Sequence, residues 1–158
     1  MPDVKLQKFE PESFESDSPR NTELIAEEFA KRLKPSDFIA LNGPLGAGKT
    51  KFTSGIIRFF CGDTIAASPT YSIMNNYRCG GININHFDFY RLKNVCDLEN
   101  CGFFDSLESG NMTIAEWTDT VKIDYRKYAA GNYYSINIGI IRSKKNKEKR
   151  NIKIEKIL

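Results

Sequence analysis

Apolar and polar side chains alternate over Val4-Lys-Leu-Gln-Lys-Phe9, the period-two pattern of a half-buried strand, and the Ser/Asp/Glu-rich stretch after it predicts a loop. Ser18-Pro19 supplies an N-cap and a first-turn proline. Leu24, Ile25, Phe29 and Leu33 then recur at helical spacing until Lys34-Pro35 stops the run, so an amphipathic helix is expected over about residues 19–33. Asp37 to Asn42 is short, mostly apolar and feeds straight into glycines, as a buried parallel strand ending at a loop does. Beyond Lys49, the residues Phe52, Ile56, Ile57 and Phe60 mark a second helix, which Cys61-Gly62-Asp63 ends. The runs Tyr71–Arg78 and Ile82–Tyr90 flank Cys79-Gly80-Gly81 and predict a β-hairpin with a glycine turn. Leu92 to Gly102 is weakly helical, Met112 to Trp117 is another short strand, and Tyr133–Ile141 and Ile152–Ile157 alternate like paired strands.

A length of 158 residues suits one domain over residues 1–158, and 41% hydrophobic with 27% charged residues is ordinary globular usage. A net charge of +3 is too mild to imply nucleic-acid binding unless the basic residues cluster. Cys61, Cys79, Cys96 and Cys101 are spaced too irregularly for a zinc ribbon or a redox pair, and with His86 the lone histidine they are expected to be reduced, buried thiols. Asp3, Lys5, Lys8, Glu10 and Glu12 interrupt the N-terminal apolar residues, so no secretory signal is expected there. No uncharged apolar stretch approaches the roughly 20 residues of a membrane span, and the cytoplasm is the default compartment.

Chemistry enters with Gly43-Pro-Leu-Gly-Ala-Gly-Lys-Thr50, which fits G-x-x-x-x-G-K-[ST] between a strand and a helix. Glycine conformations turn successive backbone N–H groups toward phosphates, and the helix N-terminus adds a favourable dipole. Gly43, Leu45, Gly46, Ala47 and Gly48 are therefore expected to cradle the phosphates of ATP or GTP. Lys49 is expected to bridge the β- and γ-phosphates and Thr50 to ligate Mg²⁺. The predicted fold class is α/β: a P-loop NTPase fold with a central, mostly parallel sheet, extended by antiparallel hairpins and flanked by helices. Such a loop needs an acid at the end of a neighbouring strand for the metal or its water, and Asp88 and Glu116 both qualify.

Gly46-Ala-Gly-Lys-Thr50, Ser68-Pro-Thr-Tyr71, His86-Phe-Asp-Phe-Tyr-Arg-Leu92 and Glu116-Trp117 occur in the order and at the spacing of one family. Over most of residues 20–120 the chain resembles the bacterial TsaE proteins, also called YjeE, which take part in making threonylcarbamoyladenosine in tRNA. The resemblance implies a compact Mg-dependent ATPase, weak alone, that works with the TsaB and TsaD proteins, with tRNA as the final substrate. It also implies that Thr70 senses the γ-phosphate, that Asp88 is the metal-associated acid, that Glu116 is the catalytic carboxylate and that Trp117 lies beside the nucleotide. Catalysis would then fall to Glu116, Lys49 and Asp88, and metal binding to Thr50, Asp88 and Glu116.

Pro44, where the family commonly has an acid, and Lys51, where a second threonine often follows, depart from the pattern without touching a fixed chemical position. His86 suits a packed strand histidine or a relay, and Arg91 a solvated arginine or a phosphate contact. Arg142-Ser-Lys-Lys-Asn-Lys-Glu-Lys-Arg150 predicts an exposed hairpin tip, with tRNA contact as the sharper alternative. Two other function classes share the loop: a small-molecule kinase, which needs an acceptor site and usually an arginine-rich lid, and a nucleotide-gated binding module.

Overall fold

In a computed structural model, residues 10–158 are described, so the expected Val4–Phe9 strand lies outside the described residues. The elements are β1 (Glu12–Ser16), α1 (Pro19–Ala30), β2 (Phe38–Asn42), α2 (Lys49–Cys61), β3 (Met74–Cys79), β4 (Ile82–Asp88), α3 (Val95–Asn100), α4 (Phe103–Glu108), β5 (Met112–Glu116), β6 (Tyr133–Arg142) and β7 (Glu148–Lys156). Among the described residues, seven strands form one sheet in the order β1-β7-β6-β2-β5-β4-β3. The centre is parallel, β6-β2-β5-β4, and antiparallel strands extend it on both sides. No described helix is long and apolar enough to cross a membrane.

The Ser18 side chain caps α1 by accepting from the Asn21 amide at 3.1 Å, with Pro19 in the first turn. The helix stops at Ala30, three residues before the expected end, and Leu33 is carried into the core by a tighter turn onto Ala30 O. On one face of the sheet, Ala26, Phe29, Phe52, Ile56 and Ile57 pack on Ile39, Leu41, Ile114 and Ile136. On the other, Phe38, Phe87, Phe89 and Ala115 meet Phe103 and Leu107. Helices α1 and α2 approach closely at Gly55, where a Cβ would lie 2.3 Å from the Glu23 carbonyl oxygen.

Two expectations are corrected. The polar segment before Ser18 contains a strand, β1, whose backbone adds to the β7 edge although only Phe14 and Ser16 turn inward. The cysteines are not all buried thiols. Cys61 and Cys79 form a disulfide, Cys96 is exposed and Cys101 is half-buried. Packing of α2 against β3 brings the first pair to a Cα separation of 4.8 Å, which irregular sequence spacing does not reveal.

Candidate functional site

The loop Gly43–Gly48 leaves the carboxyl end of β2 in a conformation that depends on glycine. Gly43 has φ 151° and a Cβ there would fall 2.3 Å from Ile138 O; Gly48 has φ 104° and opens α2. Because Gly48 offers no side-chain cap, the first amides of α2 have no side-chain partner at this end. That end of the helix favours an anion.

Lys49 is buried and folds back on the loop, donating to Gly43 O at 2.7 Å and Pro44 O at 3.0 Å. Its ammonium also lies 3.8 Å from the centre of the Trp117 ring. Burial holds the Lys49 pKa below the usual lysine value, opposed by the charges of Glu116, Asp88 and Asp119. Thr50, one residue on, donates to the Glu116 carboxylate, 3.1 Å from Oε1 and 3.3 Å from Oε2.

Asp88 and Glu116 end neighbouring parallel strands and are directly opposed in the register. Asp88 accepts from the Tyr90 amide at 2.9 Å and from Ser68 at 3.2 Å, with Thr70 at 3.5 Å from the same oxygen. Glu116 also bonds the fully buried His86 through Nε2 at 2.8 Å. Leu45, Gly46, Gly48, Lys49, Thr50, Thr70, Asp88, Glu116 and Trp117 all line a cavity of about 450 Å³, together with Ser68, Lys51 and Tyr90. Gly43 stands apart, contributing its carbonyl to Lys49, and Ala47 lines a different cavity. Arg91 stays outside, with its guanidinium 5.0 Å from the Tyr71 ring.

Sequence reasoning missed four features. Ser68 and Tyr90 stood inside motifs already singled out, but nothing in their residue type pointed to Asp88. A second cavity of about 280 Å³ runs along the other side of the same loop, lined by residues that include Asp17, Ser18, Ala47, Gly48 and Arg150. Arg150, read as part of an exposed tip, lies on β7 and donates to Ala47 O at 3.0 Å and Gly46 O at 3.1 Å, while the turn itself holds only residues 143–147. Last, Ile73 and Trp117 have φ of 68° and 62°, strained values for bulky side chains.

The fold and site together define an α/β protein with an anion-accepting glycine loop set against two strand-end carboxylates at the carboxyl edge of a parallel sheet. Residues 16–152 match the family model described as "Threonylcarbamoyl adenosine biosynthesis protein TsaE", and the chain belongs to that family. It is 41% identical over 106 residues to the tRNA threonylcarbamoyladenosine biosynthesis protein TsaE of Rickettsia conorii, a match covering 66% of this chain and 60% of that protein. The protein of the same name from Rickettsia typhi is 42% identical over 106 residues, covering 66% of this chain and 73% of the relative. The Bacillus subtilis one is 32% identical over 105 residues, covering 66% and 65%. The chain is also similar to a crystal structure of Bacillus subtilis YdiB, with TM-score 0.69 and 25% identity, covering 94% of this chain and 87% of that one.

Proposed function

We propose that this chain is the ATP-binding and ATP-hydrolysing component of the machinery that makes N6-threonylcarbamoyladenosine in tRNA, a magnesium-dependent P-loop ATPase that drives turnover of a TsaB–TsaD complex. The pathway rests on family membership and on relatives named for tRNA threonylcarbamoyladenosine biosynthesis. The chemistry rests on one observation, the Thr50–Glu116 pair. A hydroxyl has one proton, and that of Thr50 faces a carboxylate, so its lone pairs remain for a cation. Among the described residues no group of three or more His, Cys, Asp or Glu side chains forms a metal cage. A hydroxyl, one or two carboxylates and phosphate oxygens are the sparse donor set that suits Mg²⁺, which keeps much of its water. Thr50, Asp88 and Glu116 would hold the ion, and its charge would offset that of the transferring phosphoryl group.

The chain's own groups supply the rest. Backbone amides from Gly46 to Thr50 receive phosphate oxygens, and Lys49 exchanges its carbonyl partners for the β- and γ-phosphates. Glu116 orients the attacking water, and Thr70, tied to Asp88 through Ser68, reports the γ-phosphate. Because the two cavities share Gly46, Gly48 and Lys51, a triphosphate in the larger leaves the nucleoside over the smaller, beside Asp17, Ser18 and Arg150. Leu45, 81% exposed, and Tyr71, 89% exposed, bring apolar surface close to the nucleotide cavity, which favours a protein partner that covers and completes it.

ATP turnover measured with the protein alone, with TsaB and TsaD, and with a panel of phosphate acceptors tests this function. Stimulation by the two proteins is expected. Phosphorylation of a small molecule would make the chain a kinase, and nucleotide binding with no turnover in any arm would make it a gated binding module.

A further inference from the structure

His86 is fully buried two residues before Asp88 on the same face of β4, with Ile114 of β5 opposite it on one side and Asn75 of β3 on the other. Ile84, two residues earlier on that face, is also fully buried. An aliphatic side chain could pack against Ile84 and Ile114 here, whereas an imidazole brings two nitrogens that must be desolvated. Only one of them is satisfied. Nε2 meets Glu116 Oε1 at 2.8 Å, and Nδ1 is buried without a hydrogen-bond partner. A carboxylate only accepts, so Nε2 carries the ring proton; a second proton on Nδ1 would be a buried, unpaired donor. The histidine therefore gives one directed hydrogen bond and is a poor filler.

We propose that His86 is a positioning residue for Glu116. Its Nε2–H holds Oε1, so that the carboxylate is aimed at Thr50 and the cavity and not at the nearby Lys49 ammonium. Without that bond the Glu116 carboxylate is free to swing off Thr50, which misplaces the water-orienting acid while Lys49 keeps its own partners on the loop. Metal-site partners of this kind typically contribute 10- to 100-fold to affinity or activity. The proposal rests on Glu116 being the carboxylate that orients water, and its test separates the two ideas.

Turnover with TsaB and TsaD and nucleotide Kd are measured for wild type, Glu116→Gln, His86→Leu and His86→Gln. His86→Leu is expected to lower kcat 10- to 100-fold with Kd changed less than threefold and with unfolding temperature unchanged or raised. His86→Gln, whose amide N–H can stand near the Nε2 position, is expected to recover most of the loss. If Glu116→Gln abolishes turnover while His86→Leu retains it, or if glutamine rescues no better than leucine, the positioning role is overturned. If Glu116→Gln itself is active, the proposed role of Glu116 fails first. A readout independent of turnover is available because His86 is the chain's one histidine. The imidazole ¹⁵N spectrum is expected to show the Nε2–H tautomer and to shift in Glu116→Ala; an Nδ1–H tautomer would overturn the proposal.

Discussion

Replacing Lys49 with alanine probes the proposed phosphate site with a magnitude that follows from the partners of its ammonium. The ammonium already has partners: Gly43 O at 2.7 Å, Pro44 O at 3.0 Å and the Trp117 ring at 3.8 Å. Two charge-assisted bonds to phosphate oxygens are worth about 3–6 kcal/mol, from about 1.5–3 kcal/mol each. The existing bonds already have an ionised donor, so exchanging them cancels a large part of that gain, taken as roughly half because only phosphate adds a second, opposite charge. The net loss in Lys49→Ala is then about 1.5–3 kcal/mol, or about 10- to 150-fold in Kd for ATP. Trp117 is the only tryptophan in the sequence and lines the cavity, so its fluorescence follows the titration without a label. A Kd within threefold of wild type, in a variant with unchanged thermal unfolding, would refute the assignment of Lys49 to the phosphates.

Glu116→Gln keeps the size of the side chain and should bind ATP within about threefold of wild type while partner-stimulated hydrolysis, followed by phosphate release, falls about 10²- to 10⁴-fold, the usual contribution of a positioned acid or base. Gly55→Ala gains about 1 kcal/mol of helix propensity, yet its Cβ would sit 2.3 Å from Glu23 O and 2.6 Å from the Ala26 Cβ. Overpacking of that severity should win by about 1–3 kcal/mol, and a urea midpoint at or above wild type would contradict the close helix contact. The Cys61–Cys79 bond closes a separation of 18 residues, which corresponds to about 3 kcal/mol of stabilisation by loop entropy. Reductant should lower the unfolding temperature of wild type by about 6–12 °C and leave the Cys61→Ser/Cys79→Ser protein unaffected, as scanning calorimetry would show.

The parts of this molecule legible in the sequence are those encoded by short-range pattern. The strand, glycine loop and helix around residues 38–61 were readable because alternation, glycine spacing and helical periodicity all lie within a few residues of one another. The Gly80-Gly81 turn was readable for the same reason, and the structure pairs Cys79 with Ile82 across it. Features that depend on where distant segments meet were not readable. Strand β1 carries little apolar signal of its own and is defined by β7, more than 130 residues away. The reach of Arg150 to Gly46 and Ala47 spans 104 and 103 residues, and a basic run gives no hint that its last member turns inward. Helix α4 was missed because Phe103 and Leu107 take their burial from strands on both sides of it in sequence.

Backbone strain is the part of the candidate site that residue patterns conceal most completely. Ile73 and Trp117 are two of the three non-glycine residues with positive φ among those described, and both adjoin groups that line the larger cavity. The Ile73 amide bonds Pro69 O at 2.7 Å and its carbonyl accepts from the Asp88 amide at 2.9 Å, which ties the Ser68–Thr70 segment to the end of β4. The Trp117 amide extends the β2–β5 ladder to Leu41 O at 2.9 Å, and its positive φ then turns the chain directly after Glu116, with the indole over Lys49. A left-handed conformation costs about 1–2 kcal/mol for a side chain with a Cβ, and neither residue is a turn former that would relieve it. Relaxing either one would shift the backbone beside Thr70 or Glu116, and both side chains also pack against the Phe87, Phe89 and Phe103 side of the core. For bulky side chains the strain thus falls on the two connections that set the distance between hydroxyl, carboxylate and glycine loop, where a small shift in backbone would have the largest effect on the proposed phosphate site.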